Sequence, residues 1–212
     1  MTAKAHTLSG DPSLELPEFD APPADPQALL RAWLDSAVER GVREPFAAVL
    51  ATATPEGKVS SRVLLVKDVD EKGLLFAGSR GSRKGRELAA SPWASLTFYW
   101  RETLQQLTVE GPVDTLSAAE SDDLFARRPL AAKATTAVSR QSRPLVDELD
   151  LRAGAQVLID AGGPVAPPEE WRGYRLVPHG VEFWHGSPDR LHRRLRYDRA
   201  DDSGWGHQRL QP

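Results

Sequence analysis

The 212-residue chain has no cysteine. That excludes disulfides, cysteine-bound zinc, iron–sulfur clusters and thiol catalysis, and suits a reducing compartment. Its five histidines are scattered with no HxxxH or HExxH pair, so no metal site built on histidine is expected. No apolar run approaches the ~18 residues a membrane helix needs. The opening Met1-Thr2-Ala3-Lys4-Ala5-His6 leads into polar, proline-rich sequence with no apolar stretch behind it. Neither a signal peptide nor a membrane partner is expected, and the expected location is cytoplasmic. An excess of positive charge is also missing: 27 basic residues face 30 acidic ones, net −3. Nothing global would hold nucleic acid. GxGxxG and GxSxG are absent, which disfavours a dinucleotide fold and a serine hydrolase. The remainder is ordinary, 40% hydrophobic and 27% charged, at a length that suits one domain.

Residues 1–24 read as a flexible tail, with Pro12, Pro17, Pro22 and Pro23 and no apolar period. Asp25 and Pro26 then cap and start a helix to about Arg40, with Leu30, Trp33, Leu34 and Ala37 on one face. Phe46 to Thr52, Lys58 to Lys67 and Leu74 to Phe76 read as strands of an antiparallel meander joined by tight turns. A short helix follows over Ser82 to Ser91, then a hairpin of Trp93–Trp100 with Leu104–Leu116. Ser117 and Glu120 form a capping box. Leu130 to Pro144 is ambiguous, and a helix is expected from about Asp147 to Ala161. Strands over Trp171–Pro178, Val181–Trp184, Arg190–Tyr197 and Trp205–Leu210 close the chain. Residues 25–212 thus form a single domain, mainly β with flanking helices, best arranged as a closed antiparallel barrel.

Three stretches carry charge in useful places. Arg62 and Lys67 bracket the apolar strand Val63-Leu64-Leu65-Val66, which on its own reads first as a core strand with solvated ends. Arg83 and Lys84 sit at a helix N-terminus after Ser82, where free amides and the helix dipole favour a phosphate. An exposed basic turn is the alternative. Arg190, His192, Arg194 and Arg196 alternate with Leu191, Leu195 and Tyr197. That strip suits carboxylate or phosphate, or else a solvated face paired with acids such as Asp198, Asp201 and Asp202.

Taken in order, RVLLVK (62–67), GSRKG (81–85), VEG (109–111), SRQS (139–142), EFWHG (182–186), RLHRR (190–194) and the terminal RLQP resemble the pyridoxamine 5′-phosphate oxidase family. The resemblance runs from about Asp25 to Pro212 and implies an FMN-binding split β-barrel with FMN at the interface of a homodimer. Implied FMN contacts are Arg62, Val63, Leu64, Leu65, Lys67, Ala77, Gly78, Arg83, Lys84 and Gln106. Gln141, Ser142, Trp184 and Arg194 are implied contacts from the other subunit. Substrate is implied to lie against Lys67, Arg128, Arg190 and His192, with Arg190, His192 and Lys67 as the catalytic set.

The chain departs from the family's phosphate grip. Lys67 and Arg128 remain, but Leu124 and Ala132 replace a Tyr and a Ser, and Gln105 replaces an Arg. ADPQALLRAWLDSA (24–37), SPWASLTFYWRETLQQ (91–106) and RLHRRLRYDRADDSGW (190–205) resemble the branch of FMN-dependent oxidases of phenazine biosynthesis. That likeness implies oxidation of hexahydro- or tetrahydrophenazine carboxylic acids toward the aromatic phenazine. Hydride would pass to flavin N5, and O2 would reoxidise the flavin to give H2O2. The substrate would be a small tricyclic carboxylic acid. Alternatives are a pyridoxamine or pyridoxine 5′-phosphate oxidase and a non-enzymatic flavin-binding module.

Overall fold

The computed structural model describes residues 10, 11, 13–200 and 204–212, and Asp201 and Asp202 lie outside them. Ten strands and five helices follow in chain order. Helix α1 (Pro26–Glu39) is capped by the Asp25 carboxylate, which accepts from Gln27 N. Strands β1 (Ala47–Ala53), β2 (Val59–Leu65), β3 (Asp68–Asp70) and β4 (Gly73–Ser79) precede α2 (Arg83–Ala90). Strands β5 (Trp93–Trp100) and β6 (Gln105–Thr115) form the expected hairpin. Helices α3 (Ala118–Ala126), α4 (Leu130–Val138) and α5 (Glu148–Ala161) come next. Strands β7 (Trp171–Leu176), β8 (Gly180–His185), β9 (Arg193–Ala200) and β10 (Gly204–Leu210) end the chain.

The antiparallel order is β10-β9-β8-β6-β5-β1-β2, with a branch β6-β7-β4-β3. Strand β6 makes the branch. Its Gln105–Glu110 half pairs with β8 and its Val113–Thr115 half with β7. At the bend, Gly111 lies so close to the Val177 carbonyl that no side chain fits between them. Inside the barrel, Trp33 of α1 meets Phe183 edge-on at 4.9 Å and lies 6.4 Å from Trp100.

Three expectations are corrected and one ambiguous stretch is resolved. The three-strand meander forms only its first hairpin, β1 with β2; among the described residues β4 pairs with β3 and β7 and not with β2. The strand expected from Arg190 starts at Arg193, because Asp189 captures Leu191 N at 2.9 Å in a turn and Arg190 adopts φ +71°. Arg190 and His192 therefore do not share a strand face with Arg194 and Arg196. The ambiguous Leu130 to Pro144 stretch begins with helix α4. The tail expected over 1–24 is packed where it is described. Asp11 N donates to Glu102 O at 2.9 Å, and Phe19 is buried between Trp33 and the guanidinium groups of Arg193 and Arg209.

Candidate functional site

The first concentration of function lies at the N-terminus of α2. Ser82 caps it, its Oγ accepting from Gly85 N at 3.2 Å. Beneath the helix, Glu87 is buried and fully hydrogen-bonded. Its Oε2 accepts from Thr52 Oγ1 (2.5 Å), Ser60 Oγ (2.6 Å) and Arg62 Nη2 (3.3 Å), and its Oε1 from Arg83 Nε (2.9 Å). Arg62 also donates to Leu50 O and Thr52 Oγ1, so the guanidinium is held on several sides. Burial raises the Glu87 carboxyl, but hydrogen bonds from Ser60, Thr52 and Arg83 outweigh it and bring the pKa to about 2.

Lys84 is also buried, yet no carboxylate pairs with it among the described residues. Its Nζ donates to Gln141 Oε1 at 3.0 Å, and burial, then the nearby Arg62 charge, lower its pKa to about 8. A Cβ on Gly78 would collide with this amine, which explains a glycine there. Ser142 Oγ accepts from Arg83 N at 3.1 Å. Gln141 and Ser142, expected from the partner subunit, thus meet Arg83 and Lys84 of their own chain.

Gln141, which accepts from Lys84, also lines a neighbouring cavity of about 630 Å³. Leu64, Leu65, Lys67, Ala77, Gly78, Arg128 and Gln141 line it, bringing seven of the expected residues together. Arg128 donates to Thr136 Oγ1 at 2.8 Å and lies 4.6 Å over the Trp171 ring. Burial lowers the pKa of Arg128, and burial followed by the Arg128 charge lowers that of Lys67. Leu124 and Ala132 do not line the cavity. Leu124 packs with Leu75 and Leu116 in a small core, so residue type at 124 acts there through packing. Thr136 and Ser139 instead put hydroxyls at the cavity wall, a contribution missed because α4 was not legible.

The remaining expected residues stand elsewhere. A row across the outer sheet face runs Leu65, Ala47, Tyr99, Gln106, Trp184, Arg194. Gln106 is three strand spacings from Leu65, roughly 14 Å. Trp184 packs on His192 with centroids 4.8 Å apart. Ser187 N donates to His192 Nδ1 at 3.0 Å, so the neutral ring carries its proton on Nε2. Arg194 Nε donates to Glu182 at 2.8 Å, and Arg196 is claimed by Glu110 and Asp198. Val63 is outward and exposed. One chain therefore carries two clusters that do not meet: Lys67, Arg128 and the α2 terminus in one, and Gln106, Trp184, His192 and Arg194 in the other. Arg190 lies in the loop just before His192.

A branched antiparallel split barrel with a cationic helix terminus beside a cavity defines the class of protein. Residues 34–155 match the family model for pyridoxamine 5′-phosphate oxidase, and 171–212 match the pyridoxine 5′-phosphate oxidase C-terminal dimerisation region. The chain belongs to the pyridoxamine 5′-phosphate oxidase family, a family of flavin-dependent oxidases, and carries its dimerisation region. It is 44% identical over 211 residues to the dihydrophenazinedicarboxylate synthase of Burkholderia lata, covering 100% of this chain and 99% of the relative. It is 46% identical over 183 residues to the pyridoxine/pyridoxamine 5′-phosphate oxidase of Paraburkholderia xenovorans, covering 85% of each. The crystal structure of PhzG from Burkholderia lata 383 in complex with tetrahydrophenazine-1-carboxylic acid matches with a TM-score of 0.92 at 45% identity, covering 96% of this chain and 100% of that one. Among the described residues no helix is long and apolar enough to cross a membrane.

Proposed function

We propose that the chain is a homodimeric FMN-dependent oxidase of phenazine biosynthesis that oxidises hexahydro- or tetrahydrophenazine carboxylic acids. The carrying observation is the charge of the cavity. Lys67, Arg128, Arg140 and Arg143 line it, and none has an ion-pair partner among the described residues. Glu169 and Glu170 also line the cavity, Glu169 paired with Arg80 and Glu170 accepting from Ser79, so four unpaired cations leave the wall cationic in a chain of net charge −3 and call for an anionic ligand. The volume of about 630 Å³ lies within the usual range of small-molecule sites.

The residues present fit FMN. The α2 dipole, buried Lys84, Arg62 and Arg83 suit its phosphate, and Gly78 leaves the backbone open beside Lys84. Leu64, Leu65 and Ala77 supply the apolar wall for a ring system. Bound FMN would supply two-electron redox chemistry, with hydride taken from a ring C–H and electrons passed to O2 to give H2O2.

The protein's own part is positioning and charge. Lys67 and Arg128 pair with substrate carboxylate, and Thr136 and Trp171 hold the Arg128 guanidinium in one orientation. The partner subunit brings a second copy of the other cluster over the cavity. In that cluster Arg190 is a further anion contact, and His192, whose Nδ1 accepts from Ser187 N, presents Nε2–H as a hydrogen-bond donor to substrate. Trp184, Gln106 and Arg194 would contact the flavin from that side.

A second reading has its own observation. Thr136 accepts from Arg128, and its own O–H has no acceptor among the described residues, so a hydroxyl donor for a phosphate survives in the cavity. That favours pyridoxine 5′-phosphate as an alternative substrate. The deciding measurement is kcat/KM for a reduced phenazine carboxylate and for pyridoxine 5′-phosphate on the same preparation. The phenazine precursor is expected to be preferred at least tenfold, about 1.4 kcal/mol in transition-state binding. Preference for the vitamin phosphate would overturn the proposal.

A further inference from the structure

We propose that Glu87 is a positioning residue that makes the cofactor half-site selective for a phosphate monoester; this rests on the FMN reading above. Glu87 lies one turn inside α2, and its two oxygens accept from Thr52, Ser60, Arg62 and Arg83. One carboxylate thus ties a side chain from β2 to one from the first turn of α2. It holds two mutually repelling guanidinium groups in fixed places before any ligand arrives. The charge count follows. Arg62, Arg83 and Lys84 are three positive charges and Glu87 is one negative, leaving net +2. A phosphate monoester carries about −1.5 to −2 at neutral pH, so the set is matched to it. Without Glu87, Arg62 and Arg83 would have to be ordered by the ligand itself, which weakens binding.

Glu87→Gln keeps the size and places an NH2 among groups that all donate, so the clamp loses one of its two acceptors. The test measures dissociation constants for FMN and for riboflavin by quenching of flavin fluorescence on the apoprotein. Glu87→Gln should weaken FMN about tenfold or more and change riboflavin less than twofold. Ser60→Ala, which removes one support and leaves the charge, should give a smaller loss in the same direction. Unchanged or tighter FMN binding in Glu87→Gln would overturn the proposal. An equal loss for FMN and riboflavin would also overturn it, because it would signal general loosening of the fold. If Glu87→Gln does not fold, the Ser60→Ala ratio decides alone, with equal losses or none counting against the proposal. Should wild type bind neither flavin, the FMN reading itself fails, an outcome distinct from all of these.

Discussion

Lys84 links the cofactor site to pH. Burial and the Arg62 charge set its pKa at about 8, below the ordinary lysine range. A bound phosphate would raise it again. FMN binding then takes up a proton wherever free Lys84 is neutral and bound Lys84 is charged. Affinity should be flat between about pH 7, where the phosphate is mostly dianionic, and pH 8, and fall as pH rises beyond it, by up to about tenfold per unit. Lys84→Met should bind more weakly and lose that slope, which titrations from pH 6 to 10 would show. His185 gives a second signature. It is buried, its Nε2 has no hydrogen-bond partner among the described residues, and burial, the largest influence, lowers its pKa. The unfolded chain therefore binds more protons than the folded one below the ordinary histidine value of about 6.5. Stability contributed by neutral His185 is present above that pH and is lost as pH falls through the window down to the folded pKa. His185→Phe should flatten this part of the stability profile in urea melts at pH 5 to 8.

At the scale of elements, legibility followed local chemistry. The Asp25–Pro26 start of α1, the Ser82 cap of α2, the Ser117–Glu120 box of α3 and the Asp147 cap and Gly162 stop of α5 all stand where the side chains imply. Each is decided within four residues. Pairing of β4 with β7 depends on groups about a hundred residues apart, including Arg175, which donates to Asp70 at 2.7 Å. No local pattern carries that. In the site, the cationic start of α2 at Arg83 and Lys84 is readable from the sequence, whereas Thr136 is hidden because α4 begins after Pro129 with no side-chain cap to mark it. Proline content made 13–24 look like a tail, although Phe19 is 1% exposed. Phe19→Ala should cost about 3–5 kcal/mol of stability. An effect within about 0.5 kcal/mol in denaturant melts would restore the tail reading.

The whole molecule is organised by what one chain leaves open. Val49, Val63, Leu65 and Tyr99 expose apolar surface on the same outer face that carries Gln106 and Trp184. Large exposed apolar patches mark association sites, and a two-fold dimer would place each copy of one cluster over the other. Val63→Glu should shift the protein toward monomer in light scattering and release flavin together with it. The central claim is that each active site is built from two chains. It is tested most directly by mixing two inactive variants under conditions that exchange subunits. One carries Lys84→Glu, which spoils the cofactor cluster; the other carries Arg190→Glu/His192→Ala, which spoils the partner cluster. At equal amounts, half of the dimers are mixed, and each has one site free of substitutions. About a quarter of wild-type turnover of the reduced phenazine carboxylate should return. If both clusters served a site within one chain, every site would carry a defect, and the mixture would stay as inactive as its components.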